Sequence, residues 1–61
     1  MRLAGVIILY NPSNEVLDNI LTYLDGLEIL YVLDNSERPN ITVIDRLKML
    51  PKIYYVAFGE N

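Results

Sequence analysis

Three short apolar runs, residues 3–10 (LAGVIILY), 28–33 (EILYVL) and 52–58 (KIYYVAF), alternate with two stretches whose apolar residues recur at helical spacing. The first two runs are continuous and too short for a typical helix. That is the pattern of strands covered on both faces, as in parallel sheets, and the third run reads as a further strand. Between the first two, Val16, Leu17, Ile20, Leu21 and Leu24 form one helical face, while Asp18, Asn19, Thr22 and Asp25 fall largely on the other. Asn11-Pro12-Ser13-Asn14 is a turn leading into that helix. Asn11 or Ser13 is placed to cap its first turn, and Glu15 sits near the positive end of its dipole. Gly26 is expected to supply a left-handed stop. Val43, Ile44, Leu47 and Leu50 mark a second, shorter helix closed by Pro51, with Thr42 and Asp45 spaced like a loose capping box. Gly59-Glu60-Asn61 opens a further turn.

The order β-α-β-α-β predicts an α/β fold. Two right-handed crossovers most simply give a three-stranded parallel sheet in spatial order 3-2-1 with the second strand central, the half-unit of nucleotide-binding folds. The first strand then lies at an edge, where an uncovered apolar strand is a pairing hazard. No internal repeat or low-complexity segment is present, and residues 1–61 read as a single partial domain.

Composition narrows the chemistry. A chain of 61 residues is one domain at most and hides only about 60% of the surface that its unfolded form exposes. Yet 52% of the residues are apolar, a fraction better suited to the interior of something larger. Cysteine and histidine are both absent. Disulfides, thiolate sites, imidazole acid-base catalysis and Ser-His or Cys-His pairs are thereby excluded within this chain. The net charge of −3, with few and scattered Lys and Arg, argues against a nucleic-acid partner. The apolar run after Met1-Arg2 ends at Tyr10-Asn11-Pro12 without a small-residue cleavage site, and no apolar stretch approaches the roughly 18 residues needed to span a bilayer. The expected compartment is the cytoplasm, with no transmembrane segment.

The candidate site is the junction at the end of the second strand, where Val32-Leu33 gives way to Asp34-Asn35-Ser36. Open α/β sheets bind ligands outside the carboxyl ends of their strands, and the loop after the first strand, Tyr10-Asn11-Pro12, would share the same crevice. A carboxylate there accepts hydrogen bonds from a base imide or a ribose hydroxyl, while Asn11 and Ser36 offer donors. Tyr10, Asn11, Asp34, Asn35 and Ser36 are the candidate nucleotide-binding residues. The competing reading is that these are ordinary turn residues, since Asp, Asn and Ser favour loops for local reasons. Tyr23, Tyr31, Tyr54 and Tyr55 read as packing residues rather than a sugar platform, because three of them lie within strands. Asn40-Ile41-Thr42 matches the N-glycosylation pattern without a secretory signal, and Arg46 and Lys48 read as a solvated helix face.

Taken in order and spacing, Leu9-Tyr10-Asn11-Pro12, Val32-Leu33-Asp34-Asn35-Ser36 and the terminal Gly59-Glu60-Asn61 resemble the start of family 2 glycosyltransferases, especially the bacterial rhamnosyltransferase-like branch. In that family the first strand ends in a Leu-Tyr-Asn-Pro-like sequence and the second in Val-Asp-Asn-Ser. The third strand runs into a Gly-x-Asn-x-Gly segment, within which this chain stops. The resemblance covers the whole chain. It implies a GT-A (Rossmann-like) fold whose amino-terminal part binds a nucleotide-sugar donor, dTDP- or UDP-linked, with Asp34 near the base or ribose and the Tyr10-Asn11 loop beside it. The full-length enzyme would transfer a sugar, rhamnose foremost, to a glycan or lipid-linked acceptor, using a divalent Mg or Mn ion, and could lie peripheral to the membrane. The family's Asp-x-Asp metal motif and catalytic base lie downstream of the matched segment, so the chain itself is expected to carry no cofactor and to be inactive alone. A reading from another class is a small non-catalytic α/β module that self-associates through an exposed strand edge, and self-association is expected on either reading.

Overall fold

Each apolar run forms a strand and each helical pattern a helix in the computed structural model, which describes residues 2–58. The elements are β1 (Ala4–Leu9), α1 (Glu15–Tyr23), β2 (Ile29–Asp34), α2 (Ile41–Met49) and β3 (Ile53–Ala57), with a short 3-10 turn at Leu24–Gly26 closing α1. The three strands make one parallel sheet in the order β1-β2-β3, so β2 is central and bonded on both sides. The turn expected at residues 59–61 lies outside the described residues.

Strand register sorts the side chains into two faces. Gly5–Leu30–Ile53, Ile7–Val32–Tyr55 and Leu9–Asp34–Ala57 form cross-strand rows on one face, while Val6–Tyr31–Tyr54 and Ile8–Leu33–Val56 form rows on the other. Both helices pack on the first face and touch each other, enclosing Leu9, Ile20, Leu24, Leu30, Val32, Val43 and Leu47. Gly5 lets β1 lie close under the chain that follows α1. A Cβ there would stand 3.0 Å from Cδ1 of Leu27 and 3.1 Å from Cδ1 of Leu30.

The other face is bare, which corrects the expectation that the first two strands are covered on both sides. Val6 is 62% and Ile8 70% exposed. With strands added in sequence order and both crossovers passing over the same side, each helix lands on the face that the other already covers. A continuous apolar run looks the same whether or not a layer sits on its second face.

The helix ends also differ in detail from the sequence expectations. Asn14 is the N-cap of α1 and makes no side-chain capping bond; neither Asn11 nor Ser13 caps with its side chain, and the Ser13 carbonyl instead accepts from the Val16 N–H. Gly26 does not adopt a left-handed conformation, and the positive φ values belong to Asn11 (46°) and Lys52 (72°). In α2 the cap is Asn40. Its Oδ1 accepts from the Val43 N–H at 3.2 Å and its Nδ2 donates to the Pro12 carbonyl and to Asn14 Oδ1, whereas Thr42 and Asp45 lie inside the helix. Among the described residues no helix is long and apolar enough to cross a membrane.

Candidate functional site

Asp34 is the last residue of β2 rather than the first residue beyond it, and its place in the register turns the side chain toward the helices. It is 3% exposed. A buried carboxylate is stable only where donors replace its water, and three do so here. Oδ1 accepts from the Ser36 amide at 3.0 Å, closing a local Asp turn, and from the Ser36 hydroxyl at 2.5 Å; Oδ2 accepts from the Tyr55 hydroxyl at 2.5 Å.

Ser36 ties this carboxylate to the first loop. Having donated its hydroxyl proton to Asp34, its Oγ accepts the Asn11 N–H at 2.7 Å, so an unbroken chain of donors runs from the bend after β1 to the end of β2. The left-handed Asn11 aims that N–H, and its own Oδ1 accepts the Arg38 N–H at 3.0 Å. The sheet ladder continues past the strand ends on both sides, from Asn35 N–H to the Leu9 carbonyl at 2.8 Å and from Phe58 N–H to the Asp34 carbonyl at 2.6 Å. The loops after β1 and β2 are thus joined through Ser36, as their position at one sheet end requires.

A recess of about 480 Å³ opens beside Asp34, between the end of the sheet and α2, lined in part by Pro39, Ile44 and Tyr55 and by the charged residues Glu37, Asp45 and Lys48. Its size lies within the range of small-molecule sites. Of the five residues singled out from sequence, Asp34 and Ser36 line this recess; Tyr10, Asn11 and Asn35 do not. Tyr10 and Asn35 are exposed, and Asn11 reaches Asp34 only through Ser36.

Tyr55 is the site residue that sequence reasoning treated as packing. Burial, the hydrogen bond to Asp34 and the nearby negative charge all oppose its ionisation, and together they push the phenol far above its ordinary range. It is a fixed donor at any physiological pH. Lys48 Nζ stands 5.9 Å from the centre of its ring, within cation–π reach, so this lysine is not simply part of a solvated face. The sequence signal for Tyr55 was alternation: one tyrosine of the Tyr54-Tyr55 pair must face the helices, and the pairing of Val32 with Tyr55 decides which.

Chemically, the arrangement binds and orients. The carboxylate has about four acceptor positions, and the described residues fill three. Among the described residues no group of three or more His, Cys, Asp or Glu comes together. Comparison of the chain with protein-family models, curated proteins and solved structures finds no match.

Proposed function

We propose that this chain is the donor-nucleotide end of a family 2 glycosyltransferase, in which the recess beside Asp34 receives the nucleoside of a dTDP- or UDP-sugar. The supporting observation is a buried carboxylate with one acceptor position that the described residues leave open, beside a recess of nucleoside size at the carboxyl end of a parallel sheet. Oδ2 of Asp34 takes a ribose hydroxyl or base imide proton, and the apolar walls at Pro39 and Ile44 cover one face of the ring. Tyr55 either shares Oδ2 with that donor or yields it. Transfer of the sugar, the metal that the family uses and the identity of the acceptor all belong to residues outside this chain.

Backbone amide NMR with UDP and dTDP added to millimolar concentration tests this reading. Shifts concentrated at Asp34, Ser36, Tyr55 and Ala57 are expected, and Asp34→Asn should weaken them. Because that variant disturbs the hydrogen-bond chain, Ala57→Leu, which fills the recess and leaves Asp34 with its donors, should abolish them too. Unchanged spectra at saturating nucleotide would end the proposal.

A further inference from the structure

The recess beside Asp34 carries an uneven charge. Among the described residues that line it, Asp34, Glu37 and Asp45 stand against the single cation Lys48, an excess of two negative charges. The Lys48 ammonium already faces the Tyr55 ring, 5.9 Å from its centre. Arg38 follows Glu37 in the chain but is not a lining residue, and its backbone N–H turns to Asn11 Oδ1. One feature opposes the excess. Pro39 and Ile41 also line the recess, so the first turn of α2 adjoins it, and a helix N-terminus carries roughly half a positive charge. Asn40 Oδ1 already occupies one amide of that turn, the Val43 N–H. Half a charge does not offset two.

We propose that Glu37 and Asp45 make this recess selective for an uncharged nucleoside and turn phosphate groups away, so that the chain holds uridine more tightly than its phosphorylated forms. The inference rests on the donor-nucleotide reading above and deepens it by dividing the ligand into a part that the recess takes and a part that it repels. Coulomb's law sets the size. In water, two like unit charges about 8 Å apart disfavour each other by about twofold. A phosphate monoester at pH 8 carries about two charges, so against the excess of two it meets about four such repulsions, of which the helix end offsets about one. About tenfold weaker binding results. The salt dependence follows in sign: binding to a cationic phosphate site weakens as salt rises, whereas screening here relieves a repulsion, and nucleotide affinity rises toward that of the nucleoside.

Amide NMR titrations of the 61-residue chain at about pH 8 with uridine, UMP and UDP give three dissociation constants from the same Asp34, Ser36 and Tyr55 signals. At ~10 mM salt the constant for UMP should exceed that for uridine about tenfold, with UDP higher still. Raising salt to ~1 M cuts the Debye length from about 30 Å to about 3 Å and should bring the two constants within about twofold of each other. Asp45→Asn and Glu37→Gln, both at exposed positions, should each lower the low-salt ratio of UMP to uridine by at least about twofold, and Lys48→Gln should raise it. UMP or UDP held as tightly as uridine at low salt overturns the selectivity and leaves the donor reading standing. A ratio that neither salt nor the two acidic variants move overturns it as well, since the discrimination would then be steric. Uridine and UDP that both leave the spectrum unchanged at saturation end the donor reading and this inference together.

Discussion

The Tyr55 hydroxyl donates to Oδ2 of Asp34 at 2.5 Å across the β2–β3 ladder, a bond between side chains distant in sequence. Tyr55→Phe keeps the ring and its packing but leaves part of a buried carboxylate without a partner. Such a loss costs about 1–3 kcal/mol. Urea denaturation should report a fall of that size with an unchanged slope, and a variant as stable as the parent would mean that water replaces the phenol freely.

The same contact makes stability depend on pH at the alkaline end. A free phenol ionises near pH 10, whereas in the fold burial and Asp34 hold the proton on Tyr55 well beyond that. The unfolded chain therefore loses a proton above pH ~10 that the folded chain keeps. The contribution is complete below pH ~10 and is lost as pH rises toward the folded value. Urea midpoints measured at about pH 8 and about pH 10.5 should fall more steeply for the parent than for Tyr55→Phe, and equal slopes would remove Tyr55 as the cause.

Ser36→Ala should act on two loops at once. The hydroxyl is both donor to Asp34 and acceptor for Asn11, and its residue is 2% exposed, so its removal takes from Asp34 Oδ1 one of two donors, leaving the backbone amide, and leaves the Asn11 N–H without its acceptor. A loss of about 2–3 kcal/mol is expected. Hydrogen exchange locates it: the Asn11 amide should lose protection in this variant and retain it in Tyr55→Phe. Equal protection in both would show that the two halves of the network do not depend on each other.

What the sequence conveyed and what it hid divide along the range of the forces involved. Periodicity is local, so the five main elements and the central place of β2 were legible in runs such as 3–10 and 28–33. Asp34 stood out because an acid follows an apolar strand. Its burial did not, since the donors that make burial tolerable come from Ser36 two residues on and from Tyr55 through a pairing register that no local pattern encodes. Asn40 was overlooked as a cap because α2 starts at the exposed Ile41, before the apolar stripe begins at Val43. The bare face was invisible for a third reason. Val6 and Ile8 satisfy the rule for a strand equally well against a helix, against a second molecule or against water.

Lys52 offers a test of backbone strain separate from the site. It leads from α2 into β3 at φ 72°, a left-handed conformation that costs a residue bearing a Cβ about 1–2 kcal/mol. Asn11, the other such residue, is of a type that tolerates the region. Glycine at position 52 relieves the strain, at a cost of about 0.5–1 kcal/mol in unfolded-chain entropy. It also loses the partly exposed bond, 3.3 Å long, from Nζ to the Leu24 carbonyl, which is worth less than a typical hydrogen bond. Lys52→Gly should therefore be slightly more stable than the parent, by about 0.5 kcal/mol. Lys52→Ala, which keeps the strain and loses the bond, should be less stable. The order Gly above Lys above Ala in thermal midpoint supports the left-handed turn, and alanine equal to or above glycine would show that position 52 bears no such strain in solution.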